Sequence, residues 1–203
     1  MEIIKTENYN TDENCYILVN GKEAVAIDPG YDNADGIVKA AGDAKIKYIL
    51  LTHCHYDHIS AVPELVRITG AKIAATPECA ANTADRRINL TEAGLGRAIE
   101  IKDAQIISDE DIELCGMKIK VLKTPGHTSC GTCFLIENNL FSGDTLFLRN
   151  IGRWDLPTGD EETLKKSIKE VLYSLDEDIR VHPGHGAETT IGYEKKYNFV
   201  CRG

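Results

Sequence analysis

The run Tyr48-Ile49-Leu50-Leu51-Thr52-His53-Cys54-His55-Tyr56-Asp57-His58 decides how the rest of the chain is read. An apolar stretch that stops abruptly at a polar cluster reads as a buried strand leaving the core. The cluster then sits on the loop at the strand's tip. Three of the protein's six histidines and an aspartate fall within it. Imidazole and carboxylate are side chains that divalent transition metals choose as ligands. Alternation at a strand end would point His53 and His55 to the same side. Asp57 and His58 follow where the chain turns into a helix, within reach of a second position nearby. A loop rich in histidine by coincidence is the bland alternative; the density of the cluster favours a metal site.

The ligands still missing come later in the chain. His127 stands in Lys123-Thr124-Pro125-Gly126-His127-Thr128, where Pro-Gly ends a strand and a turn presents the imidazole. His185 stands in Val181-His182-Pro183-Gly184-His185-Gly186, a second Pro-Gly turn after a short strand. Between them, Leu140-Phe141-Ser142-Gly143-Asp144-Thr145 is an apolar strand ending in an aspartate. One Pro-Gly-His turn is an ordinary loop. Repeated after a dense histidine cluster, such turns point to one shared site.

His-x-His-x-Asp-His, Pro-Gly-His, Ser-Gly-Asp and Pro-Gly-His-Gly, in this order, resemble the metallo-β-lactamase superfamily. The resemblance runs from Ala26-Ile27-Asp28-Pro29-Gly30 to His185-Gly186. Gly143-Asp144-Thr145-Leu146-Phe147 followed by Ile151-Gly152-Arg153 is similar to the glyoxalase II-like, or hydroxyacylglutathione hydrolase-like, branch. The chain reaches only Gly203 after His185 and so looks like a short form without that branch's C-terminal helical domain. The resemblance implies an α/β fold, a four-layer αββα sandwich of two mixed sheets with helices on the outer faces. It also implies a dinuclear site. His53, His55 and His127 would hold one metal, Asp57, His58 and His185 the other, and Asp144 would bridge them. The implied cofactors are two divalent ions, zinc first, with iron or manganese as alternatives. His182 matches no ligand in the pattern and reads as a partly buried residue beside the site.

The implied chemistry is hydrolysis, in which a hydroxide held between the metals attacks a thioester or ester carbonyl. Asp57 and Asp144 would be the catalytic carboxylates that orient it and balance the charge. No Gly-x-Ser-x-Gly motif offers a protein nucleophile. Ligand histidines need their other nitrogen held. Asp28 and Thr128 are candidates for that role, or simple turn formers. Arg153 could pair with a substrate anion, and Trp154 could cover an apolar portion of the substrate. At Asp155, however, the branch carries a tyrosine, and a carboxylate there would repel that of glutathione. Short members of the branch share Ile-Gly-Arg-x-Asp-Leu-Pro-x-Gly-Asp, matched from Ile151 to Asp160. Rival readings within the fold are a mononuclear-iron persulfide dioxygenase, using the His53, His127 and Asp144 positions, and a lactonase. An RNA-processing nuclease would need a large inserted domain between Asp144 and His185, and there is no room for one.

Composition sets the remaining bounds. A chain of 203 residues can form one domain, residues 1–203, with a substantial core. A net charge of −9 with no Lys/Arg cluster argues against a nucleic-acid partner. The start, Met1 to Glu7, has no apolar signal region, and no stretch approaches membrane-spanning length. These features suggest a cytoplasmic protein with no membrane partner; the resemblance implies a small-molecule thioester or ester substrate, and the oligomeric state is open. Seven cysteines, an odd number, suit a reduced compartment better than a disulfide framework. Cys130-Gly131-Thr132-Cys133 has redox spacing, but its place at the head of a strand favours packing. Cys54, between two ligands, reads as buried filler.

Residues 15–19 and 24–28, joined at Asn20-Gly21, read as a hairpin. Helices are expected over 33–41, over 57–69 up to Gly70, briefly from Pro77, over 161–175 and over 191–197. Strands are expected at 72–75, 112–114, 118–122, 132–137, 140–142 and 179–181. Residues 85–104 lack a clear period and read as a loop or lid-like insertion.

Overall fold

The computed structural model describes residues 1–8, 12–30, 34–99, 101, 104–107 and 110–203. Strands β1 (Glu2–Asn8), β2 (Glu13–Asn20) and β3 (Glu23–Ile27) form an antiparallel meander. The Asn20-Gly21 turn closes the β2–β3 hairpin, with Gly21 at φ +64°, where a side chain would be strained. β4 (Lys45–Leu50), β5 (Lys72–Ala75) and β6 (Gln105–Ile106) continue this sheet in parallel, giving six strands in the order β1-β2-β3-β4-β5-β6. Parallel neighbours need crossovers, and the helices supply them. α1 (Ala34–Ala40) links β3 to β4, and α2 (Tyr56–Ile59) with α3 (Val62–Thr69) links β4 to β5. α4 (Pro77–Asn82) and α5 (Thr91–Leu95) lie between β5 and β6.

The second sheet is built from β7 (Ile112–Leu114), β8 (Met117–Lys123), β9 (Thr132–Ile136), β10 (Asn139–Gly143), β13 (Arg180–Pro183) and β14 (Thr189–Thr190). Its order is β14-β13-β10-β9-β8-β7, antiparallel except for the β10–β13 pair. A small hairpin, β11 (Leu146–Phe147) and β12 (Asn150–Ile151), leaves β10 beside the site. α6 (Glu161–Lys166) is capped by Asp160, which accepts from Thr163 N at 2.7 Å, and α7 (Ile191–Tyr197) is capped by Thr190.

Side chains alternate across a strand, and in β2 both faces are buried. Ile17 joins a cluster with Ile37, Ile49, Val62 and Leu65, on the helix side of the first sheet. Tyr16 and Leu18 turn the other way, toward Val25, Leu50, Ile119, Val121, Phe134 and Phe141, between the two sheets. A third cluster packs Leu164, Ile168 and Leu172 onto Leu140 and Val181, on the far side of the second sheet. Three apolar layers of this kind make a four-layer αββα sandwich, the architecture expected.

Several local expectations are corrected. The helix expected over 57–69 is two helices, α2 and α3, broken at Ser60-Ala61. The helix expected over 161–175 runs into a π-helical turn at Ser167–Val171 and a 3-10 turn at Leu172–Ser174. There the Ser167 hydroxyl donates to Pro125 O at 2.7 Å. The described part of 85–104 is not an open loop. Asn89 is buried, donating to Thr83 O at 2.8 Å and Ile99 O at 3.1 Å, and it pins α5 against the body. Its regularity comes from side-chain bonds, which carry no sequence period. Asn33 and residues 100, 102 and 103, inside two of the expected segments, lie outside the described residues. Strands β1, β6, β11, β12 and β14 were not anticipated; all but β1 are two residues long, too short to show alternation.

Candidate metal centre

Four strands release their C-terminal ends on the same edge of the sandwich, and each delivers part of one cluster. β4 stops at Leu50, so His53 and His55 lie in the loop beyond it and converge by the loop's course rather than by strand alternation. β8 ends at Lys123 ahead of His127, β10 ends at Gly143 ahead of Asp144, and β13 ends at Pro183 ahead of His185. The turns are tight. A Cβ at Gly184 would lie 2.4 Å from Asp144 Oδ1 and 2.7 Å from His58 Cε1, and one at Gly152 would lie 1.8 Å from Asp144 O. Glycine is required at both places because the site occupies the space a side chain would take.

His53, His55 and His127 offer ligand atoms all within 4.8 Å of one another, and so do Asp57, His58 and His185. The clusters adjoin, with the His53 and His58 rings 4.2 Å apart. Asp144 lies between them. Its Oδ1 is 3.4 Å from His58 Nε2, and its Oδ2 is 3.6 Å from both His127 Nε2 and His185 Nε2. Asp57 Oδ2 is 3.3 Å from His185 Nε2 and 3.9 Å from His58 Nε2. The seven residues expected as ligands are thus brought together.

Three of the rings are held through Nδ1. His127 Nδ1 donates to Arg153 O at 2.7 Å, and His53 Nδ1 lies 3.0 Å from Thr52 Oγ1. Asp28 accepts from Thr52 N at 2.7 Å and Thr52 Oγ1 at 2.5 Å, and its Oδ2 meets His58 Nδ1 at 3.2 Å. With its oxygens so engaged, Asp28 acts as an anchor for the His58 ring. The inward atoms are not satisfied. His53 Nε2, His55 Nε2 and Asp144 Oδ1 are buried with no hydrogen-bond partner. Buried polar atoms without partners are rare and costly, and all three belong to the expected ligands. The donor set is imidazole and carboxylate, so the residues fit divalent cations.

Electrostatics divides the two clusters. Burial drives the His53 imidazole well below its ordinary range and brings His55 down to about 4. At His58 burial pushes the same way, but Asp144 and Asp57 outweigh it and hold the ring well above the usual value. His185 is raised too, against burial, by its bond to Asp57 and by Asp144. Asp144 and Asp57 resist protonation in turn: burial favours their neutral forms, and the facing histidines reverse the balance.

Other expected residues fare differently. The Thr128 hydroxyl faces Cys130 Sγ at 3.5 Å, and its carbonyl accepts from Gly126 N at 2.9 Å, so it shapes the His127 turn and holds no imidazole. The Arg153 guanidinium is exposed and pairs with Asp155 at 2.8 and 2.9 Å, while its carbonyl serves His127. Trp154 packs partly buried on the apolar cluster beneath α6. His182 is outside both clusters, bonded to Glu188 and Asn139 at 3.0 Å each and stacked on Phe141. Cys54 and the Cys130 and Cys133 pair are buried free thiols. Unanticipated were Glu13, Asn14 and Tyr16 at the head of β2, which reach the His185 turn. Nothing in Glu13-Asn14-Cys15-Tyr16 signals this, because the turn is far away in sequence. Among the described residues, no helix is long and apolar enough to cross a membrane.

The metallo-beta-lactamase superfamily model matches residues 9–185. A probable metallo-hydrolase of Streptococcus pyogenes is 38% identical over 98% of this chain and 89% of its own length. The hydroxyacylglutathione hydrolase GloC of Haemophilus influenzae is 35% identical over 92% of this chain and 91% of its own. Among solved structures, the BLEG-1 B3 metallo-beta-lactamase superposes with TM-score 0.92 at 31% identity, covering 100% of both chains. ETHE1 from Myxococcus xanthus superposes with TM-score 0.81 at 25% identity, covering 98% of this chain and 84% of that one.

Proposed function

The chain belongs to the metallo-beta-lactamase superfamily, and from that premise we propose a hydrolase that uses two divalent ions on a thioester or ester carbonyl. The observation that carries the reading is Asp144, which lies between the clusters: Oδ1 faces His58 of one, and Oδ2 faces His127 of the other as well as His185. When bound, such ions would lower the pKa of a coordinated water to about 7 and act as a Lewis acid toward the carbonyl oxygen. The rest falls to the chain's own residues. His53, His55 and His127 would hold one ion, His58, His185 and Asp57 the other, and Asp144 would lie between. Asp57 Oδ2, beside His185 Nε2 at 3.3 Å, is placed to accept a hydrogen bond from the attacking water and orient it. Asp28 keeps the His58 ring turned so that Nε2 points inward.

A thioester substrate is supported by the likeness to the GloC hydrolase over nearly the whole chain. The grip on glutathione is weak in this reading, because Asp155 already occupies the Arg153 guanidinium. Seven free thiols among seven cysteines support work in a reducing compartment such as the cytoplasm. The test is metal analysis beside a panel of S-lactoylglutathione, smaller thioesters and activated esters. Two equivalents of metal with turnover of several substrates is the expected result, and no turnover by the two-metal protein would end the proposal. The likeness to ETHE1 favours a second reading, a mononuclear-iron persulfide dioxygenase using His53, His127 and Asp144. Oxygen uptake with glutathione persulfide by a protein holding one iron would establish it instead.

A further inference from the structure

The turn Pro183-Gly184-His185-Gly186 brings the only second-cluster residue that comes from the second sheet, and the first sheet holds it. Asn14, 1% exposed, donates through Nδ2 to Pro183 O and to Gly186 O, each at 2.9 Å. Its main-chain N–H donates to Gly184 O at 2.8 Å. One residue earlier, Glu13 pairs with His185 in an antiparallel bridge; two residues later, Tyr16 OH donates to Pro183 O at 2.8 Å. Asn14 alone therefore engages three of the turn's four carbonyls.

The rest of the site depends less on such a clasp. The side chain of His58 is fully buried and that of His127 is 5% exposed, so packing helps to fix both rings. The His185 side chain is 25% exposed, so the course of its backbone decides more of where Nε2 falls. Metal affinity is sensitive to such placement: loss of an outer-shell partner weakens binding about 10–100-fold.

We propose that Asn14 is a positioning residue for the second cation, setting His185 through the backbone of its turn, with Tyr16 in support. The proposal rests on the two-metal reading. A merely structural Asn14 would affect folding stability, and with it both ions alike. A positioning Asn14 affects one ion selectively.

The experiment strips metal from the full-length protein and titrates it with Co2+, following visible absorption and calorimetry. Asn14→Ala should weaken the second equivalent at least tenfold and leave the first within about twofold. Asn14→Asp keeps the size but sets an acceptor against two carbonyls, so it should behave like the alanine variant. Tyr16→Phe removes a single hydrogen bond and spares the fold; about threefold weakening of the second equivalent alone is expected. Equal weakening of both equivalents overturns the proposal, and so does an unchanged second equivalent in Asn14→Asp or Tyr16→Phe. Unmutated protein that takes up one equivalent overturns the two-metal reading and this role with it. That result precedes any variant, so the two failures are told apart.

Discussion

At His53, His55 and His127 the imidazoles are buried, and burial keeps the first two neutral. At Asp57, His58 and His185 the rings face carboxylates, which hold both histidines in their charged form above the ordinary range. Imidazoles thus sit in two unlike settings a few ångströms apart. The first offers neutral nitrogens that a cation can take directly. The second offers nitrogens from which a proton must leave, together with carboxylates that favour the cation once it has gone. Burial decides the first case and charge the second. The first cluster should therefore fill at lower pH and with less proton release.

The largest test of the contrast removes what the clusters share. Asp144→Ala should weaken both equivalents and lower turnover by on the order of 10²–10³-fold, the scale of losing one preorganised electrostatic group. Loss of only one equivalent would assign Asp144 to a single cluster. Next comes His185→Ala, expected to weaken the second equivalent beyond about 100-fold, since a ligand should matter more than an outer-shell partner. The first equivalent should persist in elemental analysis.

The pH dependence sharpens the comparison further. In metal-free protein, His58 and His185 carry raised values, so protons compete with the second cation throughout the range below them. Affinity for that cation should fall by about tenfold per pH unit for each proton displaced. Competition at His55 should begin only near pH 4, where its lowered value lies. The stability of the metal-free protein follows the same group with a definite sign. Between the ordinary value of 6.5 and about 4, the unfolded chain binds a proton at His55 that the folded chain does not. Acidification through that window therefore removes stability. Metal titrations at pH 6 and 8 check the first expectation, and urea unfolding of metal-free protein checks the second.

The smallest effect is expected at His182. Its ring is stacked on Phe141 and bonded to Glu188 and Asn139, beyond both clusters. His182→Ala should leave metal content unchanged and lower Tm by about 2–4 °C for each 1 kcal/mol lost. Metal loss equal to that of His185→Ala would show that the ligand assignment is wrong.

Much of the site was legible in the chain because its signals are local. A strand ending in His53-Cys54-His55-Tyr56-Asp57-His58 announces ligands within six residues, and two Pro-Gly-His turns and a strand-ending Asp144 announce the others. The layered fold was legible from the resemblance those motifs carry and from the alternation of strand and helix periods. Whatever depends on a partner far along the chain was not. Asp28 could be a turn former or an anchor until β3 and β4 paired and brought Thr52 and His58 to its oxygens. Arg153 read as a substrate ligand, while its pairing with Asp155 and the use of its carbonyl by His127 emerge only in the folded chain. Asn14 gave no sign at all, because its three acceptors lie 169 or more residues away. Residue type and spacing determine which groups can bind a cation. How the groups are shared between two clusters, and which rings stay neutral, was decided only when strands from two sheets met, since burial and charge depend on distances the sequence does not contain.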